Sequence, residues 1–272
     1  MIPVVAGSNP VGHPKFPSKW QPPRLDCAGT AGAACNALVS AALAQIVANV
    51  AGALKGRDPE YLHQLRVGIR RLRAVFRIFR KITSNAKPLD RRLRRLLPPL
   101  GEARDWDVLV ARFGRGQAEQ RTAQARCRKV LRGAEFKAAL AQAQRWAAEH
   151  SRVGRAPLTA FAGKALGRLH RKALKRGQNI DWRDAKRRHA LRIAIKRLRY
   201  GCDFFAPCFA GSLNYLRSLA KLQDLLGELN DIAVARRLLG IDDASHERAL
   251  LNRLVPAWSA FEKRPCFWMA GK

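Results

Sequence analysis

A segment of eleven residues occurs twice in the chain. His63-Gln-Leu-Arg-Val-Gly-Ile-Arg-Arg-Leu-Arg73 reappears as His189-Ala-Leu-Arg-Ile-Ala-Ile-Lys-Arg-Leu-Arg199, an offset of 126 residues. Leu100-Gly-Glu-Ala-Arg-Asp105 aligns with Leu226-Gly-Glu-Leu-Asn-Asp231 at the same offset. Two matches in one register read as a tandem duplication. The halves, roughly 30–150 and 156–272, would each hold about four helices, enough for a bundle in which every helix buries one stripe.

From Thr30 onward strand signals are nearly absent and helical periodicity dominates. Breaks are expected at Gly56 to Pro59, around Pro88, at Pro98-Pro99, near Gly114 to Gly116, around Pro157, at Gly177 to Asp181, Pro207, Gly227, Gly240 to Asp243 and Pro265. The expected fold is all-α, with about eight helices in two pseudo-symmetric four-helix bundles. Asp58-Pro59 reads as an N-cap followed by proline at the first helical position. Residues 1–29 are rich in Pro, Gly and small polar residues and read as an unstructured leader. Ala28 to Leu54 carries no charge and is long enough to span a membrane. It is mostly Ala and Gly with Thr30, Asn36, Ser40, Gln45 and Asn49, so a packed helix is the favoured reading and no membrane span is expected.

On a helix of about 100° per residue the repeated segment separates into two faces. Leu65, Ile69, Leu72, Phe76 and Phe79 form an apolar stripe, and His63, Arg66, Arg70, Arg73 and Arg77 form a cationic one beside it. In the second copy Leu191, Ile195, Leu198, Cys202 and Phe205 lie inward, with His189, Arg192, Lys196 and Arg199 alongside and Asp203 replacing Arg77. The first rail runs about 21 Å at about 1.5 Å per residue, long enough to follow several phosphates. A cationic stripe is often only a solvated face. Here no acidic residue interrupts Leu62 to Ala86, although like charges one turn apart repel. The stripe also borders the apolar seam and occurs in both halves, which favours a binding rail. Arg91, Arg92, Arg94 and Arg95 before the first Leu-Gly-Glu turn, and Arg217 and Lys221 before the second, could complete a basin. Glu102, Asp105, Asp107, Glu228 and Asp231 are expected to orient rail arginines or cap the next helix. The histidines are equally open to structural and ligand-contacting roles.

Net charge narrows the partner. The 272 residues contain 52 Lys and Arg against 20 Asp and Glu, a formal charge of +32. Self-repulsion of that size points to a polyanionic partner. With 47% hydrophobic residues, the charge belongs to a folded body and not to a disordered tail. The six cysteines show no CxxC pair and read as isolated thiols, and with no secretory signal a reducing cytoplasm is expected. Neither they nor the six scattered histidines suggest a metal site, and no cofactor is expected.

The patterns His63-x-x-Arg-x-x-x-Arg-Arg-Leu-Arg73 and His189-x-x-Arg-x-x-x-Lys-Arg-Leu-Arg-Tyr200, followed by Leu100 to Asp107 and Leu226 to Asp231, resemble the CHAD domain, the conserved histidine α-helical domain. The resemblance covers about residues 30–264. It implies paired four-helix bundles whose basic surfaces bind inorganic polyphosphate, often at polyphosphate granules. The residues carried over are His63, Arg66, Arg70, Arg71 and Arg73, with His189, Arg192, Lys196, Arg197 and Arg199. Two departures are Pro98-Pro99 in a segment expected to be helical, and Asn230 where the first half has Arg104. The short leader lacks the Glu-x-Glu-x-Lys strand of the triphosphate-tunnel domain found in some members.

The expected activity is non-catalytic binding of long-chain polyphosphate through Arg66, Arg70, Arg71, Arg73, Arg77, Arg91, Arg94, Arg95, Arg192, Lys196, Arg197, Arg199, Arg217 and Lys221 with His63 and His189. A sequence-tolerant RNA or DNA binder would use the same charge through counterion release. The basic stripe lacks a repeated aromatic for base stacking, and no nucleic-acid motif is present. An enzyme of polyphosphate metabolism would need metal-binding carboxylates or a phosphate-cradling glycine loop, and neither is evident. Oligomeric state is left open.

Overall fold

The computed structural model describes residues 16–149 and 154–269. Among them are nine α-helices: α1 (Ala31–Lys55), α2 (Pro59–Ile78), α3 (Lys87–Phe113), α4 (Gln117–Arg132), α5 (Ala134–Glu149), α6 (Leu158–Gly177), α7 (Ala185–Phe205), α8 (Leu213–Leu239) and α9 (Ala244–Glu262). Short 3₁₀ turns cover Ser84–Ala86, Ala206–Cys208 and Phe267–Met269. The described residues contain no β-strand, only an isolated bridge between Thr30 and Pro157. The fold is all-α.

Helix starts follow from side-chain oxygens that accept otherwise unpaired amide protons. Thr30 Oγ1 accepts from Ala33 N–H, and Asp58 Oδ1 accepts from Glu60 N–H with Pro59 opening α2. Asp184 accepts from Lys186 and Arg187 N–H, and Asp243 from His246 N–H. α3 and α8 end alike, at Gly114 (φ 64°) and Gly240 (φ 66°), both left-handed and 126 residues apart.

Two expected breaks are absent. α3 continues through Pro98 and Pro99, and α8 through Gly227. An interior proline costs about 3 kcal/mol. Leu93, Leu96, Leu100, Ala103 and Trp106 on the same helix are all buried, at about 1.5–3 kcal/mol for each large apolar side chain, so the stripe outweighs the lost hydrogen bonds. Gly227 lies on the opposite side of α8 from the stripe of buried Leu222, Leu225, Leu226 and Leu229, which holds the helix together across it. A break that was not expected falls at Gly133, which divides α4 from α5 and gives the first half five helices against four in the second.

α1 is long and apolar enough to cross a membrane by length and composition. Its buried residues, among them Leu38, Val39, Ala42, Leu43 and Ile46, lie in the protein core, and it packs mainly on α2. Gly68 sets that approach, because a Cβ there would lie 2.8 Å from Ile46 Cγ1. The halves join where α2 meets α7. Phe79 stacks on Phe161 at 4.7 Å between ring centroids and tilts against Phe205 at 5.7 Å.

The leader expectation needs correction from residue 16 onward. Ser18 and Asn49 exchange two hydrogen bonds through Ser18 N–H, Asn49 Oδ1, Asn49 Nδ2 and Ser18 O. Trp20 rests on Phe204, and Cys27 forms a disulfide with Cys208, so two of the six cysteines are not free thiols. A separation of 181 residues leaves no local spacing that could announce this bond. Residues 1–15 of the expected leader lie outside the described residues.

Candidate functional site

The apolar stripes of α2 and α7 are fully buried at Leu65, Ile69, Leu72, Leu191, Ile195 and Leu198. Fixing those stripes inward turns the adjacent cationic stripes toward the seam between the halves. There a groove of about 950 Å³ opens between α2 and α3 on one side and α6 and α7 on the other. Its walls carry twelve Arg and Lys side chains and one carboxylate, Asp90.

Of the residues expected from sequence, Arg70, Arg73, Arg77, Arg91, Arg94, His189, Arg192, Lys196 and Arg197 line this groove. The two rails therefore share one space. Arg80, Lys87, Arg168 and Lys172 join them and were not anticipated. The signal for the last pair was available: Arg168 and Lys172 are one turn apart on a helix whose Ala165, Leu166 and Ala173 are buried.

The remaining expected residues lie elsewhere. Arg66 is buried, and Arg70 and Asp105 are the cation and the carboxylate that act on it most strongly. His63 sits one turn earlier among Glu60, Arg104, Arg66 and Arg70. Arg71 leaves the rail, donates to Gln45 Oε1 at 3.3 Å and lies over the rings of Trp20 (4.8 Å) and Tyr200 (5.7 Å). Arg95 and Arg92 pair with Glu135 on α5, and Arg199 pairs with Asp203 at 2.8 Å. Arg217 and Lys221 are exposed on α8 away from the groove.

The acidic residues do something other than cap helices. Glu102 pairs with Arg126, Asp107 accepts from Gln120 and Gln124 at 2.9 Å, and Glu228 lies 3.5 Å from His246. They tie α3 to α4 and α8 to α9. Asp105 and Asp231 are the carboxylates that do act on rail cations, Asp105 on Arg66 and Arg70 and Asp231 on Arg192 and Lys196. His189 Nδ1 lies 3.2 Å from Asn230 Oδ1, so the departure at Asn230 supplies a histidine partner.

Crowded cations in a half-closed space pay for desolvation and mutual repulsion. Burial, then Arg192 and Arg70, bring the Lys196 ammonium down to about 7. Burial and Arg70 bring the Arg66 guanidinium down to about 10. Arg73, Arg192 and Arg197 are lowered too, burial being the largest cause in each. Burial also lowers His63, although Glu60 opposes it, and raises the Asp105 carboxyl against the pull of Arg66 and Arg70. Arg66 Nε, Arg73 Nη2 and Arg192 Nε are buried with no acceptor from the described residues. Buried donors without acceptors are costly, so this cluster is not arranged for stability alone. Chemically, such a groove can hold a multiply charged oxyanion by guanidinium forks and ammonium point charges. Among the described residues, no three His, Cys, Asp or Glu side chains are grouped to hold a metal ion.

Residues 37–240 match the family model described as the CHAD domain. The crystal structure of the CHAD domain from the plant Ricinus communis superposes with a TM-score of 0.75 at 30% sequence identity, covering 94% of this chain and 95% of that one. No curated protein matches the chain.

Proposed function

The chain belongs to the CHAD domain family, and from that premise we propose that it binds long-chain inorganic polyphosphate in the groove between its halves, without catalysing a reaction on it. One observation carries this reading: twelve Arg and Lys side chains contributed by α2, the turn that follows it, α3, α6 and α7 line one groove against a single carboxylate. A phosphoanhydride chain presents closely spaced charges and no bases, so cations alone suffice to hold it. Among the described residues the Phe, Tyr and Trp side chains on the walls are Phe76 and Tyr200, which is poor provision for stacking successive bases and disfavours single-stranded nucleic acid as the primary ligand. Polyphosphate granules are the proposed place of action; the Cys27–Cys208 disulfide removes the argument that isolated thiols gave for a reducing cytoplasm.

The test is a competition. Polyphosphate should bind with a log–log salt slope approaching about −0.7 per neutralised phosphate, by analogy with single strands. Charge-matched RNA should displace it poorly, and orthophosphate less well still. Equal displacement by RNA would favour the nucleic-acid reading. Release of orthophosphate in the presence of magnesium would favour an enzyme.

A further inference from the structure

Beyond the groove, α6 and α7 continue to turn cations toward one another. Arg168 and Lys172 of α6 line the groove, and one turn further Lys175 and Arg176 line a separate cavity of about 360 Å³ at the α6–α7 turn. On α7 the order runs backward: Arg197 and Ile193 line the groove, and Ala190, Arg187 and Lys186 line the cavity. At about 100° per residue, Lys186, Ala190, Ile193 and Arg197 fall within roughly 60° of one another, as do Arg168, Lys172 and Lys175. The two stripes thus run from one cavity into the other. Arg176 is close enough to Arg197 to be one of the cations that depress it.

Lys175 and Arg176 occupy the last turn of α6, where the helix dipole welcomes cations, and by themselves imply no ligand. Lys186 and Arg187 are placed the other way. They stand in the first turn of α7, whose positive end disfavours them, and that turn has no acidic residue. Asp184 caps the helix and lies 3.4 Å from Arg187 Nε. Among the described residues Lys175, Arg176 and Lys186 have no ion pair, and although Asp184 attracts Lys186 and Arg187 the cavity itself is lined by four cations and no carboxylate, two of the four at a helix end that disfavours them.

We propose that this trough extends the groove, and that a polyphosphate chain longer than the groove runs on between α6 and α7 and sets its further phosphates against Lys175, Arg176, Lys186 and Arg187. The proposal rests on the groove reading and deepens it, since the extension gives the protein its preference for long chains. A short oligophosphate is held by the groove alone.

The experiment compares tripolyphosphate with long-chain polyphosphate on the full-length protein and on two variants, Lys186→Glu and the double variant Lys175→Gln/Lys186→Gln. All replaced side chains are exposed, and a thermal melt confirms that each variant folds. For the double variant, long-chain affinity should fall roughly tenfold and its salt slope should flatten by about 1.4, two contacts at about 0.7 each. Lys186→Glu should lower long-chain affinity at least as much. Tripolyphosphate affinity should stay within about twofold of the original, as the groove contacts are untouched. Unchanged long-chain affinity, or equal losses for both probes, overturns the extension and leaves the groove reading intact. A parent protein that binds neither probe overturns both.

Discussion

Arg73 donates through Nε to Asp90 Oδ1 at 2.7 Å, joining α2 to α3 across the wall of the groove. Arg77 approaches the other carboxylate oxygen at 3.5 Å. The single acidic group in the groove is therefore held by two rail arginines and lowers the positive potential that a polyanion would meet. Asp90→Asn should tighten polyphosphate binding several-fold and lower thermal stability, because Arg73 is mostly buried and loses a charged partner worth about 1.5–3 kcal/mol. Titration calorimetry and a thermal melt on the same sample check both signs. Weaker binding would show that Asp90 positions Arg73 for the ligand.

Lys196 carries the pH dependence. Its folded value of about 7 lies below the ordinary 10.5, so between these values the unfolded chain binds the additional proton. The slope of unfolding free energy with pH is then positive, and this residue's contribution to stability rises from about pH 7 toward 10.5. Below about pH 7 both states are protonated and the contribution is flat. Lys196→Met should remove that slope from denaturant midpoints measured across the window.

Ligand binding titrates the same group with the opposite preference. A polyanion favours the ammonium form, so binding near pH 7 should take up protons and affinity should decline as pH rises above about 7. Calorimetry in two buffers of different ionisation enthalpy reads the proton uptake. Lys196→Arg should abolish it while retaining affinity.

Geometry separates cations that sequence alone treats alike. Arg70→Ala, Arg192→Ala and Lys196→Ala should each weaken polyphosphate binding, and the triple variant should flatten the salt slope by about 2, three contacts at about 0.7. Arg217→Ala with Lys221→Ala, outside the groove, should change affinity by less than about twofold. Equal losses in the two sets would mean that net charge and not the groove governs binding.

Thiol chemistry tests the strap formed by residues 16–30. Denatured without reductant, the chain should alkylate at Cys35, Cys127, Cys202 and Cys266, and after reduction also at Cys27 and Cys208. Closing a loop of 181 residues contributes up to about 5 kcal/mol on the chain-entropy account, so the reduced protein should melt lower. Six reactive thiols without reductant would remove the bond.

Helical content was legible because apolar spacing repeats over long stretches with few competing strand signals, and the rail was legible because burial of Leu65, Ile69 and Leu72 fixes where Arg70, Arg73 and Arg77 must point. Local punctuation misled at Pro98-Pro99 and Gly227, where residues that disfavour helices sit on helices whose buried apolar stripe, on another face, decides the outcome. Arg71 was placed with the rails by motif, and Arg199 by its helical face as well. For Arg71 tertiary neighbours decided otherwise, since Trp20 and Tyr200 offer it aromatic faces, whereas Arg199 is taken by Asp203 one turn along its own helix.

By itself the chain of residues determined that the fold is helical, which face of α2 and α7 is apolar, and that a cationic stripe accompanies the buried one in both, because those properties depend on neighbours within a turn or two. Only the tertiary structure decided that the stripes of α2 and α7 open into one groove, that α6 completes it, and that Cys27 reaches Cys208. Those are relations between segments far apart in the chain, 181 residues for the two cysteines, set by how helices pack and not by any local spacing.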